Sequence, residues 1–217
     1  MIFRSRYKFP IKLWKKRFVG ETAFVIGNGP SLLENNLDLL KNYFTIGTNR
    51  AYKVLSPCIL MWQDESLYED CFRDLVTLAC AKLTRKEIDK EDLFTHFRIE
   101  RGGFSFGEDP SVLHGGGSTA CLSVQLAVAM GFSKVVLLGC DCSYRGEQTD
   151  FYGKNKNHST NTLTNFSAAM EWISRESPIP VMNCGDAPYW PKISLQAAID
   201  ECKPNGLPRL EWLNRLT

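Results

Sequence analysis

The chain predicts an α/β fold: one open parallel sheet flanked by helices, in a single domain of 217 residues. Three observations predict it. Strand-like and helix-like segments alternate from residue 22 to about 183. Two of the strand-like runs, Phe24-Val25-Ile26 and Lys134-Val135-Val136-Leu137-Leu138, are continuously apolar, as strands buried on both faces are. Glycine-rich turns follow strand-like runs and open helix-like ones, the arrangement that places ligands at strand carboxyl ends.

Taken in order, 22–27 reads as a strand and 31–41 as a helix, because Leu32, Leu33, Leu37 and Leu40 recur near a 3.6-residue period. Residues 44–48 and 58–62 are strands, the second following Pro57. A helix spans 66–78 and a strand 79–83. A charged segment, 85–92, leads to a strand holding His96, then to a loop with Gly102, Gly103 and Gly107. Residues 118–130 form a strongly apolar helix, and 134–139 a buried strand. A polar loop covers 144–161. A helix follows over 161–175, with Leu163, Phe166, Met170 and Ile173 on one face, then a last strand, 179–183. Beyond 184 come two short helical pieces. The expected organisation is an extension at 1–20, a catalytic domain at 21–185, and a helical tail at 186–217 packing on it.

Composition sets limits. With 44% hydrophobic and 23% charged residues the chain can bury a sizeable core. No apolar run approaches the roughly 18 residues a membrane span needs, and no signal-peptide pattern opens the chain. Eight cysteines are scattered, several inside apolar runs, with no C-x-x-C pair. That points to free thiols in a reducing, cytoplasmic compartment. The net charge of +2 hides an asymmetry. Residues 1–20 carry Arg4, Arg6, Lys8, Lys12, Lys15, Lys16 and Arg17 with no acid, so the rest of the chain is net acidic. Phe3, Tyr7, Phe9, Trp14 and Phe18 interleave with these charges. Such a segment suits an anionic membrane surface or nucleic acid. It equally suits an extension whose aromatics pack inward while its charges stay solvated.

The candidate chemistry sits after the strands. Gly27-Asn28-Gly29-Pro30-Ser31 follows the first. It is not G-x-G-x-x-G, because position 32 is Leu32, and the chain has no Walker sequence. Its glycines would let backbone approach a ligand. Ser31 and Glu34 have capping-box spacing, and a helix start there would offer free N–H groups to an anion. A plain strand-to-helix turn explains the same residues. Asn49 after the second strand and Asp64 after the third are placed to bond a ribose or base, or merely to cap the next helix. His114-Gly115-Gly116-Gly117-Ser118-Thr119 opens another helix, with Ser118 and Thr119 as caps or phosphate ligands. Asp141 and Tyr144 end the buried strand in Gly139-Cys140-Asp141-Cys142-Ser143-Tyr144. No D-x-D or other metal-ligand cluster stands out.

These pieces resemble two related families. GNGPSL, GTN, the block from GGGST through VVLLGCDCSY, and NHSTNT are similar to bacterial sialyltransferases that use CMP-activated sialic acid. They are also similar to the family named after archaeal 6-hydroxymethylpterin pyrophosphokinase. The resemblance covers roughly 22–183 and implies a Rossmann-like fold. It implies donor contacts from Gly27, Asn28, Gly29 and Ser31, with Asn49 and Asp64 in the donor site. Ser118 and Thr119 would line the nucleotide pocket, Asp141 and Tyr144 would face the nucleotide, and His158 would be the general base. Of the three histidines His158 suits that role, since imidazole titrates near neutral pH. The transferases carry Asn where this chain has Asp64, and Arg where it has the glycines before Ser118. Arg50 or Arg145 is then the expected cation for a carboxylate-bearing donor.

Three functions fit. The leading one is a metal-independent, inverting glycosyltransferase, with a nucleotide-sugar donor as substrate, no cofactor, and a glycan or glycolipid acceptor. Mobile loops 101–117 and 144–158 would close over the donor. The second is a pyrophosphokinase using ATP and Mg²⁺, for which Asp64, Glu65 and Asp141 supply carboxylates. The third is a nucleotide-binding module without catalysis. A nucleic-acid acceptor has no separate motif behind it.

Overall fold

A computed structural model describes residues 8–156, 158–202 and 207–217. Among the described residues eight strands form one sheet: β1 Thr22–Ile26, β2 Phe44–Thr48, β3 Ile59–Met61, β4 Ala81–Arg85, β5 Thr95–Glu100, β6 Val112–His114, β7 Lys134–Leu138 and β8 Val181–Asn183. All pairings are parallel, in the order β6-β5-β4-β3-β2-β1-β7-β8. The helices are α1 Glu65–Thr77, α2 Thr119–Ala129, α3 Thr160–Glu176, α4 Leu195–Asp200 and α5 Arg209–Asn214. The fold is the expected Rossmann-like α/β sheet.

The continuous apolar runs are explained by burial on both faces. Along β1, Ala23 and Val25 pack into the core beneath α2 and α3. Phe24 and Ile26 point to the other face, toward Leu195 and Ala198 of α4. Period-two alternation therefore serves two apolar layers. The cover of α1 makes a third cluster around Leu60, Trp62 and Phe94. Residues of α2 are almost all buried, as a helix apolar on every side must be.

Residues 8–20 belong to this core. Trp14 and Phe18 are fully buried. Phe18 stacks on Phe132 at 4.9 Å, and the Trp14 indole donates to the Leu216 carbonyl at 2.7 Å. Lys12, Lys15, Lys16 and Arg17 stay exposed. Arg4, Arg6, Phe3 and Tyr7 lie outside the described residues. All eight cysteines are free thiols. Among the described residues no helix is long and apolar enough to cross a membrane.

Three expectations are corrected. The helix at 31–41 is two 3₁₀ turns, Pro30–Glu34 and Leu37–Asn42, split at Asn35-Asn36. Asn35 is extended, and the Asn36 side chain accepts from the Asp38 amide, a local bond that competes with a continuing helix. The Ser31–Glu34 capping box does not form. Ser31 bonds Asp141, while Glu34 pairs with Arg145 and Lys192. The segment before α2 holds the short edge strand β6, with His114 at its end rather than in a glycine loop.

Candidate active site

The strand order reverses at β1. The chain steps outward from β1 to β6, then returns to place β7 on the other flank of β1. Connections leave β1 and β7 in opposite directions, which opens a crevice above their carboxyl ends. A cleft of about 180 Å³ lies there. Its walls bring together Gly27, Asn28, Gly29, Asn49, Asp64, Ser118, Thr119, Asp141, Tyr144 and His158. Ser31 is the one expected residue left out: it is fully buried beneath the floor.

The turn after β1 is shaped by protein, not by open space for a ligand. A Cβ on Gly27 would collide with the Gly139 carbonyl, and one on Gly29 would fall 2.5 Å from an Asp141 carboxylate oxygen. Both positions need glycine because the ends of β1 and β7 meet there. Asp141, almost wholly buried, closes the contact. It accepts from the Ser31 amide at 2.8 Å, from the Ser31 hydroxyl, and from the Asp186 amide at 3.3 Å. Asn28 is spent similarly. Its amide donates to the Thr48 carbonyl and hydroxyl at 2.9 and 3.0 Å, and its oxygen accepts from the Arg50 amide. These side chains latch β7 to β1 and β1 to β2, and so set the cleft floor.

Other groups are open to a ligand. Asn49 holds a left-handed φ of 48°, and its buried side-chain oxygen has no hydrogen-bond partner. A buried acceptor without a donor is costly, so a ligand hydroxyl or N–H would be welcome there. At α2, the Ser118 hydroxyl accepts from the Cys121 amide. The Thr119 and Ala120 amides have no intrahelical acceptor, so this 11-residue helix presents its positive end to the cleft. Asp64 precedes α1 without capping it. Burial pushes its carboxyl above the usual 3.8, with Arg85 and His158 opposing.

His158 stands between two spaces. It lines the main cleft and a neighbouring cleft of about 320 Å³ bounded by Asn49, Arg50, Asp64, Tyr152 and Asn155. Its buried Nδ1 lies 3.2 Å from the Asp150 carboxylate, within ion-pair range but without hydrogen-bond alignment. Its ring stacks on Tyr144 at 6.1 Å and 15°, and the Tyr144 hydroxyl donates to the Ser159 carbonyl. Asp150 is buried, which raises its carboxyl above 3.8 while His158 opposes the rise. A small rotation of the ring would let Nδ1–H donate to that carboxylate, and the Nε2 lone pair would then face the clefts. Sequence reasoning missed Asp150. It lies in a polar loop with no motif, eight positions before its partner, and folding alone brings the two together.

The expected cations are taken. Arg145 pairs with Glu34 at 2.5 Å and with Asp186, in a cluster that Lys192 completes. Those cations hold the Glu34 and Asp186 carboxyls below their ordinary values. Arg50 pairs with Asp70 at 2.7 Å and lies over the Tyr152 ring. Loop 101–117 is anchored as Phe104 and Phe106 stack on Trp172 of α3.

No family profile and no curated protein matches the chain. Solved structures of a sialyltransferase do, at a distance. The sialyltransferase CstII from Campylobacter jejuni, in complex with the substrate analogue cytidine-5'-monophosphate, is 16% identical, with 88% of this chain and 86% of that one covered and a TM-score of 0.43. CST-II in complex with a trisaccharide acceptor and CMP is 17% identical, with 85% and 87% covered and a TM-score of 0.46. Likeness this loose assigns no role to any residue of this chain.

Proposed function

We propose that the protein is a glycosyltransferase that uses a nucleotide-activated sugar, with His158 as general base. The observation that carries the reading is the His158–Asp150 pair at the junction of two clefts. The donor occupies the cleft above β1 and β7, with its phosphate at the N-terminus of α2. The acceptor enters from the neighbouring cleft. His158 Nε2 takes the proton of an acceptor hydroxyl as that oxygen attacks the anomeric carbon. The bond from that carbon to the phosphate oxygen breaks, and the departing nucleotide keeps the electron pair. Asp150, 3.2 Å from Nδ1, steadies the imidazolium by its charge and fixes the useful tautomer once the ring turns to bond it. The resemblance of GNGPSL and NHSTNT to CMP-sialic-acid transferases supports this reading and suggests a cytidine donor.

The acceptor is a glycan or glycolipid. Leu13 and Val19 protrude, 64% and 72% exposed, among Lys12, Lys15, Lys16 and Arg17. Apolar side chains among cations favour peripheral contact with an anionic membrane. Eight free thiols suit a cytoplasmic location.

The test is a thermal-shift screen with CMP, CDP, UDP, GDP, ADP and ATP, each with and without Mg²⁺. A ligand that binds only the native state raises the melting temperature. A shift with CMP that survives EDTA is expected, and His158→Ala should abolish transfer from CMP-sialic acid while keeping that shift. A shift with ATP and Mg²⁺ alone would replace this reading with the pyrophosphokinase. No shift at all would leave a binding module of another kind.

A further inference from the structure

Away from the clefts, Asp89, Asp92 and His96 converge where the connection after β4 enters β5. One ligand atom from each lies within 4.8 Å of the others. His96 Nε2 is 2.9 Å from an Asp89 oxygen and 3.8 Å from an Asp92 oxygen. The backbone commits to this arrangement. Asp92 takes a left-handed φ of 51°, and the Phe94 amide donates to the same Asp89 oxygen that faces His96.

Two carboxylates and an imidazole are also what an ion pair uses, so the cluster alone decides nothing. Further atoms decide. The Asp89 side chain is fully buried, yet its second oxygen has no hydrogen-bond partner. Thr84 is fully buried, and its hydroxyl has none either. Thr84 is the register partner of His96 across β4 and β5, so both side chains rise from one face of the sheet. Orphaned polar atoms of this kind are rare in native proteins and call for an occupant. A cation at Asp89 would engage its free oxygen, and a water on that cation would serve the Thr84 hydroxyl.

We infer that Asp89, Asp92 and His96 bind a divalent first-row cation, with Mn²⁺ or Zn²⁺ matching one imidazole and two carboxylates. Waters complete the coordination. The ion ties the β4–β5 connection to the start of β5 and takes no part in transfer at His158. Lys8, which pairs with Asp92, competes with it. The rival account is a buried water joining Asp89 and Thr84, which needs no cation.

Mn²⁺ is the probe, because EPR reads it directly and it avoids thiols, whereas Zn²⁺ could bind the partly exposed Cys142 and Cys202. Metal-stripped full-length protein is titrated with Mn²⁺ and the free-ion EPR signal is read. Uptake of one ion per chain is expected. Asp92→Asn, a surface change, and His96→Ala should each weaken it at least about tenfold, since even outer-shell losses cost that much. Their melting temperatures in EDTA show that both variants fold. Lys8→Ala and His158→Ala keep every ligand and must retain uptake. The inference is overturned by absent uptake, by uptake unchanged in both ligand variants, or by its loss in Lys8→Ala or His158→Ala.

Discussion

Asp141→Asn separates a latch from a ligand contact. The carboxylate receives three donors: the Ser31 amide, the Ser31 hydroxyl and the Asp186 amide. Asparagine keeps the shape and one acceptor oxygen. With that oxygen facing the Ser31 amide, the new NH₂ faces the Ser31 hydroxyl, which can turn to accept. The Asp186 amide then loses its partner. Hydrogen bonds to a charged group contribute about 1.5–3 kcal/mol and neutral ones about 0.5–1.5. Two bonds weakened by about 1 kcal/mol each, with one weak bond lost, give about 3 kcal/mol. For a chain of this size that lowers the melting temperature by roughly 6–12 °C. Urea unfolding measures the first figure and calorimetry the second. A cycle with Ser31→Ala should show coupling of at least about 1 kcal/mol between these touching residues. The reasoning is refuted if Asp141→Asn stays within about 0.5 kcal/mol of the parent while nucleotide binding disappears.

Asp150→Asn is expected to lower kcat by about a hundredfold with little change in KM, the scale of a poorly oriented general base. Burial raises the Asp150 carboxyl above 3.8, so folding favours its protonated form. That stability is complete below the unfolded pKa and is lost as pH rises through the folded one. The permanently neutral variant should therefore melt no lower than the parent at pH 7, and the gap should close on acidification. A lower melting point at pH 7 would contradict this. Asn49→Ala should remove the nucleotide-induced thermal shift and cost about 1–2 kcal/mol, because alanine tolerates a left-handed φ less well; an intact shift would place the nucleotide elsewhere. Trp14→Ala should cost about 3–5 kcal/mol in urea unfolding, as a fully buried aromatic does. A loss under 1 kcal/mol would make residues 8–20 an appendage.

Much was legible in the order of residues because it follows from local rules. Burial on two faces demands the continuous apolar strands at Thr22–Ile26 and Lys134–Leu138, and strand–helix alternation forces a parallel sheet. A parallel sheet in turn puts its ligands at the strand carboxyl ends, so Gly27, Asn49, Asp64 and Asp141 could be chosen before any contact was visible, while Ser118 came from its glycine-rich loop and His158 from the resemblance of NHSTNT. What these residues touch could not be read that way. The GNG turn suggested room for phosphate, but its glycines exist because Gly139 and Asp141 lie against them. Ser31 and Glu34 had the spacing of a capping box, yet carboxylate and cations from over a hundred residues away captured both. Asp150 and the Asp89–Asp92–His96 cluster carry no sequence signal, since tertiary packing brings their partners into reach. The sequence by itself determined a parallel α/β sheet and the edge at which to look. Only the tertiary structure decided which polar groups are spent holding strands together and which remain for a ligand, because hydrogen-bond satisfaction depends on neighbours that the chain order does not reveal.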